Sequence, residues 1–187
     1  YMHGNLVDVG YGEHMAGQSV VTNSLEVFLR ENGRVSGLLR EDMATDKAAS
    51  AAQLVLSVDG MGSKTSPCVM AAGFHTWNLK NGAYVLLDSD TELEELQVSC
   101  EGNTIVYQAD ANGAFPSLQI NSAMQAGPAL SLYFTDAAGN KRNPTPGEVV
   151  VAFASEADTV AANIALGTEY GDFQLTASGK NLVVAYK

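Results

Sequence analysis

The sequence predicts a mainly β fold: a single β-sandwich-like or partly open barrel domain with one or two short helices. Three observations carry this. Short apolar runs, alternating or continuous, recur at ~8–12-residue spacing between turn residues. Eighteen glycines punctuate the 187-residue chain. An apolar content of 46% against 17% charged residues suffices for one buried core.

In chain order, residues 1–19 form a flexible, glycine-rich N-terminal arm carrying His3 and His14, and 20–187 form one β-rich domain. Residues 20–40 fit two readings. A hairpin places Leu25, Val27 and Leu29 on one face with a turn at Glu31-Asn32-Gly33. A helix would be capped by Asn23, boxed by Glu26 and stopped at Gly33. Residues 41–53 read as a short surface helix or an ordered loop.

Leu54–Val58 is a strand that runs into Asp59-Gly-Met-Gly-Ser-Lys-Thr-Ser66. A strand ending in glycines and Lys-Thr invites a phosphate-loop reading. Ser63 stands where a Walker motif needs glycine, and Thr65 where a dinucleotide motif needs one, so the stretch reads as a turn. Val69–Trp77 and Ala83–Leu87 read as a hairpin reversed at Asn81-Gly82, the strongest such signal in the chain. Ser89-x-x-Glu92 predicts a helical turn over 91–96.

Asn103–Ala109, Ser117–Asn121 and Ala129–Thr135 read as strands, the last with Leu130, Leu132 and Phe134 on one face. Glu148–Phe153 is apolar on both faces, the mark of a central strand. Ser155 caps a helix with Val160, Ala161, Ile164 and Ala165 at helical spacing and Gly167 as its stop. Asp172–Thr176 and Asn181–Tyr186 pair across Ala177–Lys180.

Ten basic against 21 acidic residues give a net charge of −11. Phosphate backbones and anionic membranes need clustered Lys and Arg, so this balance excludes nucleic acid as a partner. Between Lys80 and Lys141 there is no basic residue. No apolar run reaches the ~18–20 residues of a transmembrane helix. The opening Tyr1 is expected to be a trimmed or matured start.

Candidate sites are few. Cys68 and Cys100 are expected to form a disulfide, which suits an oxidising compartment. His75 and Trp77 alternate around Thr76 and could form the floor of a sugar-binding patch. Asp88, Asp90 and Glu92 alternate in the same way, and Asp110 and Asn112 lie in a second oxygen-rich turn. Together these five could offer oxygen ligands to calcium, the one cofactor the sequence suggests. Carboxylates in 88–110 could also pair for hydrolysis. No serine-hydrolase pattern occurs.

The expected function is a non-enzymatic, extracytoplasmic structural or adhesion domain: secreted, periplasmic or on the cell surface, and a subunit of a filament or layer. Its expected partner is protein, including copies of itself. A carbohydrate-binding module using the Trp77 face is the alternative, and a carboxylate-based hydrolase the third reading.

Overall fold

The computed structural model describes residues 23–29, 52–69, 76–122 and 127–187. The fold is mainly β, and the described residues form three sheets and one short helix with no barrel closure among them. The chain visits the sheets in turn. β1 (Asn23–Leu29) and β2 (Ala52–Asp59) lie in the first sheet and β3 (Cys68–Val69) in the second. The next coil places β4 (Thr76–Lys80), β5 (Tyr84–Leu87) and β6 (Thr91–Leu93) in the first, second and third sheets. The one after it repeats this with β7 (Glu95–Ser99), β8 (Thr104–Gln108) and β9 (Leu118–Ile120). Later coils use only two sheets. β10 (Leu130–Thr135) and β12 (Ile164–Leu166) extend the second, while β11 (Val149–Phe153), β13 (Phe173–Ser178) and β14 (Asn181–Tyr186) extend the third.

Among the described residues every ladder from β1 to β12 is parallel, and only β11–β14 and β13–β14 are antiparallel. Parallel strands in register, returned to once per turn of the chain, make a β-solenoid, in which each coil covers the apolar face of its neighbour.

Register explains the core. In the second sheet Cys68, Val85, Ile105 and Leu132 stack in one inward column, and Leu87, Tyr107 and Phe134 in the next. Leu56, Trp77 and Leu96 form a column in the first sheet; Leu93, Ile120 and Phe153 form one in the third. All of these side chains are buried. Burying each large one is worth ~1.5–3 kcal/mol, and the column arrangement keeps like shapes in contact from coil to coil.

The corners between the first and second sheets form a column too. Gly60, Asn81 and Cys100 each follow the last residue of a first-sheet strand, and each has positive φ (63°, 53° and 70°). This corrects the expected hairpin at Asn81-Gly82. The backbone there is as the dipeptide demands, with φ of 53° and 79°. The chain bends from one sheet into another rather than reversing, because β4 and β5 find parallel partners in neighbouring coils instead of each other.

Two further expectations change. Residues 91–93 are strand rather than a helical turn, since Thr91 and Leu93 pair with Leu118 and Ile120. The helix α1 (Glu156–Ala161) is capped by Ser155, whose hydroxyl accepts the Asp158 N–H at 3.1 Å, but it stops early because Ile164–Leu166 pair with β10. The β13–β14 hairpin forms across Gly179-Lys180 as expected. Asn23–Leu29 is a strand paired in parallel with β2 rather than a helix. The arm 1–19 and the segments 20–22, 30–51, 70–75 and 123–126 lie outside the described residues, and with them the turn and second strand of the hairpin expected in 20–40.

Candidate functional site

The most developed polar cluster among the described residues was not marked by any sequence motif. Lys64, in the turn after β2, reaches the carboxylate of Glu169, in the turn after β12, at 2.5 Å. On the way its ammonium lies 5.1 Å from the centre of the Tyr133 ring on β10. Lys141 completes the cluster: its Nζ donates to the Glu169 carbonyl at 3.0 Å and sits 5.1 Å from the Tyr170 ring. The Tyr170 hydroxyl is buried, accepting the Phe134 N–H at 2.8 Å and lying 3.1 Å from the Phe134 carbonyl as donor.

The electrostatics follow. The hydrogen bond to Glu169 raises the Lys64 pKa, outweighing the opposing effect of its partial burial. Burial pushes the Glu169 carboxyl upward, but the Lys64 hydrogen bond, a backbone hydrogen bond and the charges of Lys64 and Lys141 together bring it below its ordinary value. Burial raises the Tyr170 hydroxyl well above the ordinary phenol range. Lys64 is 43% exposed, so the pair is worth at most ~1 kcal/mol. The cluster has no nucleophile beside a base, and its chemistry is that of a tie between distant coils.

Of the residues proposed for sugar binding, Trp77 is a correction. It is 3% exposed and stacked between Leu56 and Leu96, so its face is occupied by the core and offers no platform to a pyranose. His75 lies outside the described residues.

The five proposed calcium ligands are distributed over separate local tasks. Asp90 Oδ1 accepts the Ser117 N–H at 2.8 Å and its hydroxyl at 2.9 Å, which lowers the Asp90 pKa. Glu92 accepts from Asn121 Nδ2 at 2.8 Å. Asp88 Oδ1 accepts from the Ser89 hydroxyl at 3.3 Å. Asp110 Oδ1 accepts the N–H groups of Asn112 and Ala114, and these bonds, that to Ala114 foremost, hold its carboxyl low. Among the described residues no group of three or more His, Cys, Asp or Glu is placed to hold a metal ion.

Asp110-Ala-Asn-Gly-Ala114 has a structural twin. Asp136-Ala-Ala-Gly-Asn140 makes the same turn after the next second-sheet strand. In both, the Asp Oδ1 accepts the second and fourth following N–H groups, and the glycine N–H returns to the Asp carbonyl at 3.0 Å. The shared Asp-Ala-x-Gly spelling was the available signal for a repeat.

The expected disulfide is also a correction. Cys68 and Cys100 are both free, the first buried and the second exposed. Cys68 points into the core from β3, while Cys100 occupies a corner ahead of β8, two strands along the same sheet. Two parallel-strand spacings amount to ~10 Å, beyond the ~7 Å limit for bridged Cα atoms. Burial raises the Cys68 thiol pKa, which disfavours the thiolate a nucleophile needs.

Among the described residues no helix is long and apolar enough to cross a membrane. Compared with protein-family models, with curated proteins and with solved structures, the chain matches none.

Proposed function

We propose that the chain is a non-enzymatic structural or adhesion domain acting outside the cytoplasm, as a subunit of a surface filament or layer. The observation that supports this best is the division of labour in the solenoid. Apolar columns run from coil to coil, and polar side chains, acidic ones among them, hold corners and turns. A stack whose stability is built from neighbour-on-neighbour contacts suits a spacer or scaffold. The net charge of −11 keeps such a surface soluble and unattractive to nucleic acid.

Sedimentation velocity and negative-stain microscopy across ionic strengths, with cell fractionation of the source, test this reading. Species larger than the monomer and antigen in the surface or secreted fraction are expected. A strictly monomeric chain found wholly in the cytosol would sink it.

A further inference from the structure

We propose that Asn81 is a site of spontaneous deamidation, a modification that consumes water, needs no enzyme and loosens the corner joining the β2 and β4 coils. The sequence holds three Asn-Gly pairs, at 32–33, 81–82 and 112–113, and the first lies outside the described residues. In such a pair the glycine nitrogen reaches the asparagine Cγ unhindered, because glycine carries no β-carbon. The Gly82 nitrogen gives its proton to water and bonds to Cγ. The Cγ–Nδ2 bond breaks, and Nδ2 leaves as ammonia, taking its third hydrogen from water. Water then opens the five-membered imide at either carbonyl. One opening leaves aspartate; the other leaves isoaspartate, with the main chain rerouted through the side chain. In sum one water is consumed and one ammonia released.

The structure separates the two described pairs. Attack requires a glycine N–H that is free to lose its proton. Among the described residues the Gly82 N–H has no hydrogen-bond partner. Asn81 is exposed, and a β-carbon built on Gly82 would meet only the Gly102 carbonyl oxygen, at 4.0 Å, so the approach is open. At the other pair the Gly113 N–H donates to the Asp110 carbonyl at 3.0 Å. The Gly113 carbonyl accepts from Arg142 Nη1 at 2.6 Å, and that nitrogen lies 3.2 Å from where a β-carbon would stand. Both asparagine amides donate to a carboxylate, Asn81 to Asp59 Oδ1 at 2.6 Å and Asn112 to Asp110 Oδ2 at 3.4 Å. Those bonds need not break before the ring closes, since the amide nitrogen keeps its hydrogens until it leaves. The Gly113 bond must break, which slows Asn112 ~2–10-fold relative to Asn81.

Asn81 also stands where the product matters. Its amide ties Asp59, at the end of β2, to the corner after β4, beside the bond from the Gly60 N–H to the Lys80 carbonyl at 2.9 Å. Deamidation removes that donor and sets a second carboxylate against Asp59 across the same contact, where like charges repel. The isoaspartate form also lengthens the main chain at the bend from the first sheet into the second. The modification thus records the age of a chain in the strength of one corner, whether or not the domain assembles.

Peptide mapping by mass spectrometry tests the site, on the full native chain incubated at mildly alkaline pH beside a urea-unfolded control. Aspartate and isoaspartate are expected at Asn81 ~2–10-fold faster than at Asn112, and at matched rates in the unfolded control. Asn112 level with or ahead of Asn81 in the native chain, or Asn81 intact while the control reacts, overturns the site. Urea unfolding of variants, with circular dichroism to confirm folding, tests the consequence. Asn81→Asp should lower the midpoint, whereas the same exchange made in Asp59→Ala should leave it near that of Asp59→Ala alone. An Asn81→Asp midpoint equal to the parent's, or an equal loss with and without Asp59, overturns the loosening of the corner.

Discussion

The side-chain oxygen of Asn103 accepts the backbone N–H of Ala83 at 2.9 Å, joining the corner of one coil to the corner before it. Its amide nitrogen donates to the carbonyls of Cys100 and Ser99 at 2.9 and 3.2 Å. Asn103 is fully buried, and one side chain satisfies three backbone groups, the Ala83 N–H in the interior and the Ser99 and Cys100 carbonyls nearer the surface. Replacing it with leucine leaves the buried Ala83 N–H unpaired, at a cost of ~1–3 kcal/mol, while water can reach the two carbonyls. Asn103→Leu is expected to lower stability by ~1–3 kcal/mol in urea unfolding. A midpoint unchanged from the parent would show that the corner is held by other means.

Ile105 and Leu132 occupy adjacent rungs of one column, so a void at either is felt by both coils. Leu132→Ala is expected to cost ~2–5 kcal/mol, as buried leucine truncations do. The exposed Ala165, next to this column on β12, should accept serine within ~0.5 kcal/mol. Equal losses at the two positions would contradict the inward assignment of the column.

Cys100 holds a left-handed conformation at the corner where earlier coils place Gly60 and Asn81. Such a conformation costs a non-glycine residue ~1–2 kcal/mol, partly offset by the greater freedom of glycine in the unfolded chain. Cys100→Gly should therefore stabilise the protein by ~0.5 kcal/mol, whereas Cys100→Val should destabilise it. Thermal unfolding of the pair decides the sign.

The two thiols should also differ in reach. A maleimide reagent is expected to label Cys100 in the native protein and Cys68 only after unfolding, because Cys68 is buried with a raised pKa. Intact mass without reductant would settle the covalent state. A loss of two hydrogens would restore the disulfide.

The Lys64–Glu169 tie has a defined pH dependence. Glu169 titrates below its unfolded value of 4.5, so its contribution is present above that value and lost as pH falls through the lower, folded pKa. Lys64 titrates above 10.5, so its contribution is present below that value and lost as pH rises through the higher, folded pKa. Between these limits Glu169→Gln should lower stability by less than ~1 kcal/mol, and the difference from the parent should vanish in acid. A difference that persists unchanged well below pH 4.5 would assign the effect to packing.

Much of the strand content was legible. The strands around Leu54–Val58, Asn103–Ala109, Ala129–Thr135 and Glu148–Phe153, the Ser155 cap and the final hairpin all lie where local patterning placed them. The coil was not legible, for a physical reason. Asn81-Gly82 dictates a backbone conformation but not whether the strands on either side pair with each other, and parallel partners far along the chain decided that. Coil length varies as well. Thr76 pairs with Glu95, whereas Thr91 pairs with Leu118 and Leu118 with Val151, so no fixed period announces the solenoid. The site fared worse. Trp77 and the acids stand out by residue type, while Lys64 and Glu169 are 105 positions apart and carry no local signal at all.

That separation has a consequence for how the molecule comes apart. A linear stack can fray from either end without disturbing the far end, and its melting then spreads over several partial steps. The ion pair ties a turn before β3 to a turn after β12, the strands at opposite edges of one sheet. Loss of either end is thereby felt at the other. The array gains a cooperativity that nearest-neighbour contacts do not supply, and Lys64→Ala should broaden the unfolding transition more than it lowers its midpoint.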